Sequence, residues 1–492
     1  MAIDGSRPMA WEVRMMRIPY LETNIANTNR AFRIAVGDLT GNIIPFRDGL
    51  LKEKKDVVIA GMDYVTPWTR DAAINTWNGA GLLFPEVTRN TLLSVLDEFD
   101  GEIRIAGEYW DAVIWAVGAW WQYLYTGDGD FLKTALSAVK NSLAFWEKTE
   151  FTQELNLFRG GACYGDGVSA YPDIYTRTEG NMAGIIFWPP VNQEKAVRPG
   201  KGLPMHVLST NCLYYEAYEI MGRMAAELGL PAEQSWSIKA GNIKRTINKE
   251  LWNEEAGRYD YFLDKFGGCN YQEGIGQSFS ILFGIAGKDK SDRMFENVYV
   301  SPAGIPCVWP SFKRYETSDA MGYGRHSGTV WPHIQGFWAH AAAMCRKEEI
   351  FRHELDRLVE NVSRDSHFAE LYHPVTGEMY GGRQEAPEDG IIEWKCSVRQ
   401  TWSATAFMRM IMMGLAGMNF GAEGIEFKPF MVEGYDRLEL SGLHYRNMIL
   451  NISIKGTGTR VNAFRVNGEV SGLCRISAQN RGNIEISIVM GK

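Results

Sequence analysis

Glu370 lies in the run Phe368-Ala-Glu370-Leu-Tyr372-His373-Pro374-Val-Thr376-Gly377-Glu378, just ahead of an aromatic and a His-Pro-x-Thr-Gly turn. A turn of this kind presents a side chain into a cavity while neighbouring helices hold its base still, which suits a catalytic carboxylate. A second carboxylate, Asp166, stands between glycines in Arg159-Gly160-Gly161-Ala-Cys-Tyr164-Gly165-Asp166-Gly167-Val-Ser169-Ala-Tyr171-Pro172. Its small neighbours let a ligand approach the backbone, and Tyr164 and Tyr171 can dry its surroundings. Desolvation raises a carboxyl pKa, as a general acid near neutral pH requires. Asp173 is the local rival.

Candidate binding groups surround this pair. In Tyr64-Val-Thr-Pro67-Trp68-Thr69-Arg70-Asp71, Pro67 leads into a helix continued by Ala72, Ala73, Ile74 and Trp77. Arg70 and Asp71 then sit in its first turn, where the helix dipole favours an ionised carboxylate and the guanidinium offers a fork of donors. Such a pair can grip two hydroxyls of a pyranose, with Trp68 as a stacking wall. Trp110 and Asp111 open the next aromatic-rich helix. Gly322-Tyr323-Gly324-Arg325-His326-Ser327-Gly328-Thr329-Val330-Trp331-Pro332 adds Arg325 and His326 as donors and Trp331 as a lining ring. Tyr372 and Trp402 complete the candidate set.

The elements that must hold these residues are mainly helical. Apolar periodicity predicts helices over 20–36, through Leu92, Leu93 and Leu96, from Glu108 to Tyr125, and over 130–149, 206–228, 231–252, 274–286, 289–299, 329–345, 347–364 and 400–417. Alternating strand patterns are almost absent before residue 420. Long aperiodic loops at 151–205 and 300–328 break the array, and long loops inside a compact domain are usually functional. From about 421 short segments of period two take over, including Arg460–Val466 before an Asn467-Gly468 hairpin signal. The expected organisation is a helical domain over 1–420, able to close as a ring of hairpins around a funnel, and a small β-sandwich over 421–492.

Composition narrows the function. The 492 residues carry a net charge of -8, which argues against nucleic acid as the main partner. Aromatics form 12% of the chain, with 16 Trp and 21 Tyr, a surplus suited to a cleft that stacks on sugar faces. The start Met-Ala-Ile-Asp-Gly and the absence of any apolar run near the roughly 18 residues of a membrane span predict a soluble, cytoplasmic protein. Seven scattered Cys without a C-x-x-C pair disfavour a disulfide framework and a structural zinc site. No cofactor or metal is implied, and oligomeric state is not readable.

Taken together, Trp68-Thr-Arg70-Asp71, Gly165-Asp166-Gly-x-Ser169, Gly328-Thr-Val-Trp331-Pro332 and Glu370-x-Tyr372-x-Pro374-x-Thr376-Gly377 leading to Gln400-Thr-Trp402-Ser403-Ala404 resemble the six-hairpin glycosidases. The nearest likeness is to glycoside hydrolase family 63, in order, over roughly residues 64–410. The resemblance implies an α/α six-hairpin toroid and an exo-acting, inverting α-glycosidase acting on a glucoside or related oligosaccharide. It implies Asp166 as general acid and Glu370 as the base that activates water, with Trp68, Arg70, Asp71, Trp331 and Trp402 shaping the pocket. Two departures stand out: Gly165 precedes Asp166 where the family usually has Trp, and the β-domain is carboxy-terminal, as in α-rhamnoside-cleaving relatives. Two other classes fit the residues: an epimerase or polysaccharide lyase resting on His206, His326 or His373, and a non-catalytic glycan-binding protein.

Overall fold

The computed structural model describes residues 18–176, 183–188, 202–316, 322–386 and 390–491. The amino-terminal start, and the parts of the long loops at 177–182, 189–201 and 317–321, lie outside them. The main helices are α1 (Ala26–Gly41), α2 (Thr69–Asn75), α3 (Pro85–Ser94), α4 (Trp115–Thr126), α5 (Gly129–Thr149), α6 (Leu208–Glu227), α7 (Gln234–Thr246), α8 (Gly274–Leu282), α9 (Lys288–Asn297), α10 (Pro332–Met344), α11 (Glu348–Asp365) and α12 (Thr401–Arg409). None of the described helices is long and apolar enough to cross a membrane.

Helices of two kinds alternate. In α8 and α12 almost every residue is buried, and in α10 burial runs unbroken from Pro332 to Ala343. A helix apolar all round belongs inside other helices. In α5, by contrast, Phe131, Leu132, Ala135, Leu136, Ala138, Val139, Leu143 and Trp146 form one buried face, and α11 has the same one-sided pattern. The contacts follow this division. α2 packs on α4, α4 on α6, α6 on α8, α8 on α10, α10 on α12, and α12 returns to α2. The one-sided helices lie against them: α1 on α12, α3 and α5 on α4, α7 on α6, α11 on α10. Gly127 and Asp128 show how a hairpin turns. Gly127 adopts φ 71 to close α4, and the Asp128 carboxylate accepts from the backbone N–H of Asp130 and Phe131 to open α5.

The carboxy-terminal region is strand-rich. A six-stranded sheet runs Tyr20–Thr23, Arg437–Tyr445, Met448–Lys455, Gly482–Gly491, Arg460–Val466, Glu469–Val470. A three-stranded sheet joins Met418–Gly421, Gly424–Phe427 and Arg475–Ser477. Phe427 and Phe464 meet across the two, with ring centroids 5.6 Å apart.

Several expectations are corrected. Residues 20–36 are not one helix: Tyr20–Thr23 is an edge strand paired with Leu438–Ser441, and α1 begins only at Ala26. That pairing bridges more than 400 positions, so local periodicity could not reveal it. Leu96 is not in α3 but opens a hairpin, Leu96–Phe99 with Glu102–Ile105, whose turn residues Asp100 and Gly101 both have positive φ. Further hairpins before residue 420, such as Ile43–Phe46 with Lys55–Val58, show that short strands there escaped the period-two criterion.

A buried carboxyl joins two of the enclosed helices. Glu273, just before α8, accepts from the Ser209 backbone N–H of α6 at 3.0 Å, and its other oxygen lacks a partner among the described residues. Burial pushes its pKa from 4.5 up to about 8. Between these values the folded chain retains a proton that the unfolded chain has released, so stability falls as pH rises through this window. Glu273→Gln removes the penalty. Its thermal unfolding is expected to match the parent below the window and to exceed it by about 1 kcal/mol or more at the upper end; parallel pH profiles for the two proteins would contradict this.

Candidate active site

The amino-terminal ends of α2, α10 and α12 open onto one cavity of about 540 Å³. Arg70 and Asp71 come from the first turn of α2 and Trp402 from that of α12, while Trp68, Trp331 and Gln400 are the residues just before α2, α10 and α12. Asp166, Arg325, His326 and Glu370 enter from the connecting loops and also line it. Fixed helix ends carry one wall and loops the other, so distant residues converge.

Glu370 is buried at 2% exposure yet held by donors on every side. Tyr64 Oη donates to Oε1 at 3.1 Å, Arg325 Nη2 to Oε2 at 2.6 Å, and the Ser397 backbone N–H to Oε2 at 3.2 Å. Its own backbone N–H donates to the Ser397 carbonyl, which fixes the loop carrying it. The guanidinium and the two further donors fix the orientation of this carboxylate.

Asp166 differs. Its side chain is 45% exposed, with Oδ2 3.8 Å from Arg70 Nη2 and Oδ1 3.4 Å from His326 Nε2. Burial works to raise its pKa, but Arg70 and Arg325, joined by His326 only where that ring is protonated, outweigh it and hold the carboxyl below its ordinary value. The expected drying by Tyr164 and Tyr171 does not occur. Tyr171 Oη donates to the Gly165 carbonyl and accepts from Ala162 N–H in the core, and Tyr164 packs against His326, Trp331 and His333. Those contacts also explain the glycine before Asp166. A Cβ at 165 would lie 2.9 Å from Tyr171 Oη and 3.0 Å from the Cβ atoms of Ala162 and Ala170, so no larger residue fits.

Around Arg70 the charges are shared unevenly. Arg70 Nη1 donates to Asp111 Oδ2 at 2.7 Å, placing Asp111 behind the guanidinium in an adjoining recess. Burial pushes Asp111 up to about 7 against the pull of Arg70. Asp71 is likewise raised to about 7, first by burial and then by Glu370 and Asp166. The expectation that the helix dipole keeps Asp71 ionised is therefore corrected: its 5% exposure outweighs the dipole. Asp71, Trp394, Gln400 and Trp402 line the cavity, and Asp71 Oδ1, Trp394 Nε1, Trp402 Nε1 and both amide atoms of Gln400, buried at its wall, have no hydrogen-bond partner among the described residues. Buried donors and acceptors left open in this way suit a hydroxyl-rich ligand.

The family model of the mannosylglycerate hydrolase MGH1-like glycoside hydrolase domain matches residues 111–403, more than half of the chain. The chain belongs to this glycoside hydrolase family. No curated protein matches it in sequence. Among solved structures, it is similar to a sialidase at TM-score 0.66 and 17% identity, over 94% of this chain and 41% of the other. A family 78 rhamnosidase of Bacillus sp. GL1 aligns at TM-score 0.57 and 13% identity, over 97% and 44%. The family 63 mannosylglycerate hydrolase from Thermus thermophilus in complex with glucose aligns at TM-score 0.57 and 14% identity, over 77% of this chain and 98% of its own. The chain thus spans under half the length of the first two. These likenesses show a shared fold, and the resemblance to family 63 holds.

In this MGH1-like glycoside hydrolase, other candidates fall outside the cavity. Trp110 is fully buried, packed edge-on to Tyr109 and beneath Gly160 and Gly161. Tyr372 is a buried strut whose hydroxyl accepts from Ala369 N–H and whose backbone pairs with Val330. Neither lines the cavity, which corrects their assignment as binding residues. Asp173 is ion-paired to Arg314 at 2.9 Å on the exterior. His206 bonds Thr152, and His373 accepts from the backbone of Val375 and Thr376. Of the three histidines weighed for other chemistries, only His326 reaches the cavity. Sequence reading missed Tyr64, Gln384, Trp394, Ser397 and Gln400, which also line it. Tyr64 lay in the quoted run before Trp68 and Gln400 opened the quoted helix, so nearness to motifs was the available signal. Gln384 and Trp394 carried none.

Proposed function

We propose that this glycoside hydrolase is an exo-acting, inverting α-glycosidase that removes a terminal sugar, a glucosyl or closely related residue, from a short oligosaccharide or glycoside. One observation carries the reading: Asp166 and Glu370, about 200 positions apart, line the same cavity in contrasting settings. Glu370 is gripped and oriented by Arg325, Tyr64 and the Ser397 N–H. Asp166 is open to the incoming leaving group.

In the reaction, Glu370 takes a proton from water as the water oxygen bonds to the anomeric carbon from one face. On the other face the glycosidic bond breaks, and its oxygen takes the proton of Asp166. Inversion requires about 6.5 to 9.5 Å between the carboxyls so that water fits. Because the arginines hold Asp166 ionised in the open cavity, loading it as an acid needs the substrate to expel water and weaken their pull. Asp71, Gln400, Trp394 and Trp402 would meet the hydroxyls of the terminal sugar, with Arg70 held in place by Asp111. The closed succession of α2, α4, α6, α8, α10 and α12 supports the six-hairpin toroid, and the facing sheets support a β-sandwich beyond about residue 420.

The reading is tested by sugar release from a panel of aryl α- and β-glycosides. Turnover of one or more α-glycosides, abolished in the Asp166→Asn/Glu370→Gln double variant, is expected. Binding without turnover across the panel would favour a glycan-binding protein, and β-selectivity would overturn the stereochemistry.

A further inference from the structure

Behind the acid candidate runs a chain of buried polar side chains. Gln384 Oε1 accepts from Ser169 Oγ at 2.8 Å. Ser169 Oγ lies 3.0 Å from His326 Nδ1 and accepts from the His326 backbone N–H at 3.2 Å. His326 Nε2 faces Asp166 Oδ1 at 3.4 Å. The ring is clamped, stacked on Trp331 at 5.0 Å and 14°. The glycine after Asp166 makes room for the chain, since a Cβ at 167 would stand 2.1 Å from Gln384 Oε1 and 2.9 Å from His326 Nδ1.

Proton counting along this chain gives a direction. A hydroxyl has one proton, and Ser169 spends it on the Gln384 carbonyl oxygen, so towards His326 it can only accept. Burial pushes His326 down to about 4, so the ring is neutral and has one N–H. That N–H is drawn to Nδ1, and Nε2 is left as a lone pair. A lone pair facing a carboxyl oxygen is attractive when the carboxyl bears the proton and repulsive when it does not.

We propose that Gln384 and Ser169 fix the tautomer of His326, and that, once bound substrate has expelled water, His326 Nε2 docks the proton of Asp166 as an O–H···N hydrogen bond until it passes to the glycosidic oxygen. His326, Ser169 and Gln384 are positioning residues in this scheme, which rests on Asp166 being the general acid. The docking opposes Arg70 and Arg325, the cations that face Asp166, and Asp71 and Asp111 lie across Arg70. His326 itself faces Asp166, Arg325 and Arg70, and His333 lies behind it.

Ser169→Ala removes the acceptor at Nδ1, letting the ring present Nε2–H to Asp166 and favour its carboxylate. The alkaline limb of kcat, which reports the acid in the substrate complex, is expected to move down by about one pH unit. At neutral pH, turnover of glycosides with poor leaving groups is expected to fall about tenfold, while glycosyl fluorides, which need no protonation, change little. Ser169→Thr, which keeps the hydroxyl, should retain the parent limb. Gln384→Leu, which frees the Ser169 proton to point at Nδ1, should move the limb in the same direction as Ser169→Ala, and it serves should that variant not fold. An unmoved limb in the folded variants, or an equal loss on both substrate classes, overturns the proposal. If Asp166→Asn itself keeps full activity on poor leaving groups, the acid assignment fails instead.

Discussion

Glu370→Gln is expected to lower kcat on every glycoside by about 10²- to 10⁴-fold, whatever the leaving group, with KM little changed. The amide keeps the size of the side chain, and with its oxygen at the Oε2 position it can still accept from the Ser397 N–H, while its NH2 group faces Tyr64 Oη. It cannot take a proton from water. Because the base acts on the nucleophile, the loss is the same for a fluoride and for a sugar leaving group. A small anionic nucleophile such as azide, entering the space of the water, should restore turnover and give an azide of inverted configuration. The variant also leaves buried Arg325 without its carboxylate, so a fall in stability of up to about 3 kcal/mol is expected alongside. Thermal unfolding separates that effect from the kinetic one.

Asp166→Asn is expected to behave in the opposite way with respect to the leaving group. Turnover of alkyl and sugar glycosides should fall by about 10²- to 10⁴-fold, because nothing protonates the departing oxygen. Glycosyl fluorides and dinitrophenyl glycosides should lose far less. Stability should be nearly unchanged, since the Asp166 side chain is 45% exposed and its nearest Arg70 nitrogen is 3.8 Å away. The ratio of kcat/KM between poor and good leaving groups is the measurement. A uniform loss across leaving groups would place the acid elsewhere, and the carboxyls nearest to hand are Asp71 and Asp111, both raised to about 7 by burial.

Residues whose position follows from local chain chemistry were legible in the sequence. Pro67 and the apolar run after it put Arg70 and Asp71 in the first turn of α2, and the turn after Glu370 marked that carboxylate. The run of helices was readable from periodicity, as was the hairpin at Asn467 and Gly468, whose φ values are both positive. Long-range placement was not. Whether Trp110 faces a sugar or the core depends on Gly160 and Gly161 packing over it from 50 positions away. The charge state of Asp166 was misjudged for the same reason: its setting is decided by Arg70 and Arg325, brought in by other elements, rather than by the tyrosines beside it in the chain. Gln384 escaped because a glutamine on a short strand has no local signature, although its partner Ser169 lay in the acid loop.

The most direct test of the paired-carboxyl account is the configuration of the first-formed sugar. Proton NMR recorded during hydrolysis of the best α-glycoside substrate, before mutarotation mixes the anomers, should show the β-anomer appearing first. Initial release of the α-anomer would mean a covalent or otherwise retaining route, and would contradict the assignment of Glu370 as the base that activates water.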